Sequence, residues 1–256
     1  MKKAIVYIIA LFCFSCNSDQ QAELPETKAA PRPKPMSIVE IPVPQGCVMD
    51  TFPKKSFSHY IQNLPLTGST QILAHDGSTI QNEIYRVFAV INMPLLFNDD
   101  LEQCADFAIR LWAEYHKAGN KLSELRLFNY HGKRIAYKPQ NGSLTRFLRK
   151  TFANANSYSL KAGCRKIAEN EVIPGDLIVQ NSDGGIGHVS VIMNSCSDTA
   201  GKRLYLIGYS FMPAQEFHIE HAMQFGTDGW FTLKGFYEFL KNHLDLGEPV
   251  LRRFEP

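Results

Sequence analysis

The spacing of apolar positions changes along this chain, and the change divides it into a helical part and a stranded part. Across residues 98–115, NDDLEQCADFAIRLWAEY, the positions Cys104, Ala108, Leu111 and Tyr115 recur at steps of four, three and four, which is one face of a helix. Asp100 fits as the N-cap and Gln103 as its capping-box partner, so Cys104 falls in the first turn with its sulfur turned inward. Beyond residue 175 the period shortens to two. Short strands are expected at 176–180, 188–193, 203–209 and 216–220, joined by polar or glycine-rich connections, as in an antiparallel meander. Within 188–193, Val189 and Val191 share one face, and His188 and Ser190 share the other.

Weaker patterns complete the picture. Helices are expected at 56–63, capped by Ser56, and at 143–153, 157–167 and 235–244. The alternation of Val39, Ile41 and Val43 predicts an edge strand over 37–44, and β-branched runs predict strands at 70–74 and 84–91. A hairpin turns at His131-Gly132-Lys133, and 250–254 returns to the sheet. Helices gather in the first half and strands in the second. The fold class is therefore α+β, with the Cys104 helix packed on an antiparallel sheet.

At 256 residues, 45% hydrophobic and 20% charged, the chain can bury a full core, and 37–256 reads as a single domain. Lys and Arg number 27 against 25 Asp and Glu, a scattered net charge of +2 that argues against a nucleic-acid partner. The eight histidines form no metal-ligand spacing, since His218 and His221 would point to opposite faces of a strand; neither a metal nor another cofactor is expected. Nothing in the sequence specifies an oligomeric state.

Residues 1–16 read as a processing segment. Lys2 and Lys3 precede an apolar stretch from Ala4 to Phe14 that is too short for a good membrane span. Phe14-Ser15-Cys16 resembles the end of a bacterial lipoprotein signal, although Cys13 and Phe14 depart from the usual residues, and a plain secretory signal is the alternative. Cys16 is then the lipidation site, and residues 17–36, with Pro25, Pro31, Pro33 and Pro35, form a semi-extended tether. The resulting expectation is a domain held in the cell envelope, on the outer membrane, by its N-terminal lipid. Export permits disulfides among Cys47, Cys104, Cys164 and Cys196, but their spacings match no scaffold and Cys104 is expected to be free.

Two residues carry the candidate chemistry. A thiol near a helix N-terminus is favoured as the attacking anion, with a structural buried cysteine as the competing reading and Asp99, Asp100 and Glu102 opposing the charge. His188 follows Gly184, Gly185 and Gly187 at a strand entrance, where a base can be approached closely. Together they make a nucleophile and base for covalent catalysis. Gln103 is a candidate to help stabilise an oxyanion beside the amide of Cys104. Asp106 and Arg110 are spaced for a surface pair four residues apart. Trp230 either lines a cleft or belongs to the core.

The segments QCADFAIRLWAEY, PGDLIV and GHVSVIM resemble the cysteine peptidases of the NlpC/P60 and CHAP type, although the dipeptide DC common there is QC here. With SFMPAQEFHI added, most of 37–256 resembles more closely a family of bacterial lipoproteins known only as a domain of unknown function, number four-eight-four-six. That family tends to carry Gln where this chain has Tyr209. The resemblance implies a papain-like fold, Cys104 and His188 as the reacting pair, and a third polar residue holding the far nitrogen of His188. Gln215 is the favoured candidate for it and Ser210 the next, with Glu216 and Asn194 behind them. It implies a thiol hydrolase, peptidase or amidase, acting on the peptide stems of peptidoglycan. The alternatives are a non-catalytic surface lipoprotein that binds peptide or glycan in the same groove, and a thiol acyltransferase.

Overall fold

The computed structural model describes residues 36–81, 84 and 86–255, which belong to one compact unit, Lys34–Pro256. Cys16 and the rest of 1–35 lie outside the described residues. In chain order the elements are strand β1 (Cys47–Met49), helix α1 (Phe57–Gln62), β2 (Val87–Val90), α2 (Cys104–Ala118), β3 (Arg126–Phe128), β4 (Arg134–Ala136), α3 (Leu144–Phe152) and α4 (Ser157–Gly163). There follow β5 (Arg165–Lys166), β6 (Leu177–Gln180), β7 (His188–Asp198), β8 (Arg203–Tyr209), β9 (His218–Glu220), β10 (Gly226–Thr227), β11 (Trp230–Phe231), α5 (Leu233–His243) and β12 (Val250–Arg253). No helix of the described residues is long and apolar enough to cross a membrane.

Ten strands form one sheet in the order β10-β11-β8-β7-β6-β12-β5, with β1 added to the far half of β7 and β9 joining β8 to β2. Its pairings are antiparallel, and β3 and β4 make a separate hairpin. The protein is thus a mixed helix and sheet structure with few helices and a large antiparallel sheet. Strand β7 is its axis, because its first nine residues are buried on both faces. Val189, Val191 and Met193 join the core under α2, while Ile192 joins a second core with Ile178, Tyr209, Phe236 and Leu240. Cover on both sides explains why LIVQ in β6 is buried at every position, rather than alternating as a half-exposed strand would.

Helix α2 lies on the first of these cores and buries most of its surface. Its Trp112 stacks on Phe254 at 5.3 Å and meets the edge of Phe57 at 5.0 Å, which ties the helix to α1 and to the residue that follows β12. Helix α1 forms where expected, with the Ser56 hydroxyl accepting from the His59 amide.

Three expectations change. Residues 37–44 are not an edge strand: a short 3-10 turn, Ile38–Glu40, buries Ile38 and Ile41 at a step of three and leaves Val39 exposed. Residues 70–74 make only isolated bridges, Leu73 with Thr79 and Ala74 with Gln215. The helix from Ser157 stops at Gly163, because a Cβ there would meet the Phe128 ring and the chain turns extended at Cys164.

Candidate functional site

The entry into α2 sets the site. Gln103, in an extended conformation, is the N-cap, and Cys104 is the first helical residue. Asp100 does not cap the helix. Its Oδ1 accepts from the Ala214 amide at 2.6 Å and from the Gln103 side-chain amide at 3.0 Å, so it fastens the loop after β8 to the start of α2. Asp106 turns back to accept from the Gln103 backbone N–H at 3.1 Å, and burial raises its carboxyl well above the usual range. It therefore does not pair with Arg110. Arg110 is buried and bonds Glu102 at 2.7 Å, which needs a partner because it is fully buried.

Cys104 is 7% exposed and opens on a cleft of 610 Å³ whose walls include Gln103, Tyr130, Asn156, Met212 and residues 184–187. Burial pushes its thiol up to about 12; the amide of Val189 and the helix-start amides favour the anion, and Asp106 opposes it, but burial prevails. The glycine turn that roofs this cleft is tied down. The Asn181 side chain accepts from Gly184 N at 2.7 Å and donates to the Gly185 carbonyl at 3.0 Å, and the Tyr130 hydroxyl donates to the Gly184 carbonyl at 3.2 Å. At Gly187 a Cβ would collide with the Ser157 hydroxyl and the Gln180 carbonyl and lie 2.7 Å from the Asn181 side-chain nitrogen. Gly187→Ala is therefore expected to cost about 1–3 kcal/mol, read as a lower urea midpoint at unchanged m-value.

His188 opens β7 and is fully buried. Its ring meets Tyr209 edge-on at 5.0 Å and Phe211 at 5.4 Å, and neither ring nitrogen has a hydrogen-bond partner among the described residues. Burial first, and then the electrostatic influence of nearby His218, bring its pKa down to about 3. Near neutral pH the site thus holds a neutral thiol and a neutral imidazole. The two are not in contact: the sulfur lies against the Val189 amide, whereas the His188 ring packs on Tyr209 and does not line the cleft, and no hydrogen bond joins them.

The other candidate positions fall elsewhere. Gln215 is buried in a closed turn, bridges Ala74 through its backbone and accepts from the Ser210 hydroxyl at 2.8 Å; it makes no hydrogen bond to His188. Ser210, also buried, closes that turn rather than lining the cleft. Trp230 is a core residue whose indole N–H donates to the Pro42 carbonyl at 3.0 Å. Gln103 does line the cleft, with its side-chain amide engaged by Asp100.

Sequence reasoning passed over Glu220. This fully buried carboxylate accepts from the Tyr209 hydroxyl at 2.7 Å and the Arg86 amide at 2.6 Å and lies 3.2 Å from His218 Nε2. The signal was the spacing of His218 and Glu220, two apart on one strand and so on one face.

The described cysteines are all free, and among the described residues no group of three His, Cys, Asp or Glu side chains is arranged to hold a metal. Comparison with curated proteins finds no match, and neither does comparison with solved structures. A family model does match, over residues 39–142 and 128–247, well over half of the chain, and on that ground the chain belongs to the family described as domain of unknown function (4846).

Proposed function

We propose that this protein is a thiol hydrolase of amide bonds, with Cys104 as nucleophile and His188 as proton carrier. The observation that supports it most is the state of His188. A buried donor or acceptor without a partner costs about 1–3 kcal/mol, and a fully buried histidine with two such nitrogens, one residue before the Val189 amide that meets the Cys104 sulfur, is a poor choice for a core position. In the proposed reaction the sulfur forms a bond to the substrate carbonyl carbon while its proton passes to His188. The oxyanion is met by the amides at the start of α2. His188 then protonates the leaving amine as the C–N bond breaks, and water hydrolyses the thioester, returning the proton to sulfur. The resting pair is neutral and unbonded, so the sequence begins only when a substrate enters the cleft and brings ring and sulfur together. The papain-like assignment, the lipid on Cys16, the envelope location and peptide stems of the cell wall as substrate belong to the same proposal and rest on the sequence motifs and the signal-like N-terminus.

A second reading has its own support. A thiol held near 12 is a weak nucleophile, which favours a non-catalytic protein that binds peptide or glycan in the same cleft. Labelling with iodoacetamide near neutral pH, located by peptide mass analysis, separates the two. Hydrolase chemistry predicts preferential labelling of Cys104 in the presence of wall peptides and its loss in His188→Ala. Labelling indifferent to His188, with no cleaved peptide, leaves the binder.

A further inference from the structure

The Cys104 cleft does not end at its own walls. Tyr130 and Asn154 also line a second cavity, of 510 Å³, between the β3–β4 hairpin and α3, so the two spaces share a boundary. The second cavity differs in charge. Lys138, Arg146 and Lys150 line it, and no aspartate or glutamate does. None of the three side chains makes an ion pair or hydrogen bond among the described residues, in contrast to neighbouring Arg149, which pairs with Asp99. Arg146 lies alongside Gly142, where its Cδ would be 3.2 Å from any added Cβ. Tyr137, whose hydroxyl donates to the Gly142 carbonyl at 3.3 Å, adds an aromatic wall to the same space.

Three unpaired cations on one concave, partly aromatic surface hold a positive potential that an anionic group of a ligand would neutralise. We infer that this cavity is an acidic-peptide subsite: it takes side-chain or terminal carboxylates of an extended peptide whose backbone passes Tyr130 into the Cys104 cleft. The inference rests on the proposed hydrolase reading for the place of the scissile bond, and names acidic peptides as its substrate class. Carboxylates, rather than nonspecific apolar contacts, supply the selectivity.

Binding can be read without turnover. Full-length protein carrying Cys104→Ala is titrated into fluorescein-labelled triglutamate, triglutamine and trilysine peptides at low ionic strength and followed by anisotropy. Triglutamate is expected to bind about tenfold more tightly than triglutamine, trilysine not at all, and the preference is expected to vanish in the Lys138→Ala/Arg146→Ala/Lys150→Ala background and to weaken as salt is raised. These side chains are exposed, so a folded triple variant is expected, and its circular dichroism checks this. Equal binding of triglutamate and triglutamine, or triglutamate binding that survives the triple substitution, overturns the subsite. If the preference holds while protein with Cys104 intact cleaves none of the acidic amides offered, the subsite stands and the hydrolase reading fails.

Discussion

Arg110→Ala is expected to lower the unfolding free energy by about 3–5 kcal/mol, because it leaves the fully buried Glu102 without its cation. The pair does more than cancel charge. Arg110 also donates to the Pro94 carbonyl at 2.8 Å, and Glu102 accepts from the Leu96 amide at 2.6 Å, so the two side chains hold the loop that delivers Cys104 to the start of α2. Replacing both partners, as Arg110→Met with Glu102→Leu, removes the charges together and is expected to cost much less. Urea unfolding of the two single variants and the double variant measures the coupling. A double variant as unstable as Arg110→Ala would show that the loop contacts, not the buried charge, dominate.

Acid is expected to destabilise the protein through His188. The folded imidazole stays neutral down to about pH 3, whereas in the unfolded chain it takes a proton near pH 6.5. Between those values the unfolded state binds one more proton, so stability falls with falling pH by about 1.4 kcal/mol per unit, the loss being complete near pH 3. His116, also lowered by burial, acts in the same direction. Asp106 acts against them: its raised carboxyl is protonated first in the folded state, which gains stability as pH falls. Comparison with His188→Phe isolates the histidine. From pH 6.5 to 4.5 the parent should lose about 2–3 kcal/mol more than the variant, measured by urea unfolding at each pH. Parallel pH curves would mean that His188 is protonated in the folded protein.

The regular elements were legible because each is a one-dimensional pattern. The 3.6-residue period of α2, the Ser56 cap of α1 and the alternation at the start of β7 all reappear in the structure. Where two periods fit the same residues, the reading failed: Val39, Ile41 and Val43 alternate, yet Ile38 and Ile41 are the pair that packs. Cys104 and His188 stood out for similar reasons, one by its place at a helix start and the other by the glycines before it. Their surroundings did not. The four-residue spacing points Arg110 to Asp106, but its partner Glu102 precedes the helix and only the folded entry loop brings it near. Tyr209 reaches the His188 ring only through the pairing of β7 with β8, and its hydroxyl is committed to Glu220, so the imidazole meets the rings of Tyr209 and Phe211 rather than a hydrogen-bond partner.

Glu220 gathers contacts from chain positions 86, 209 and 218, three stretches with little else in common along the sequence. Loosening any one of them leaves a fully buried polar group short of a partner, so β2, the end of β8 and β9 are expected to open together rather than fray singly. Tyr209, whose hydroxyl donates to Glu220, is also the ring that meets His188 edge-on, so the buried acid and the imidazole are joined through a single side chain.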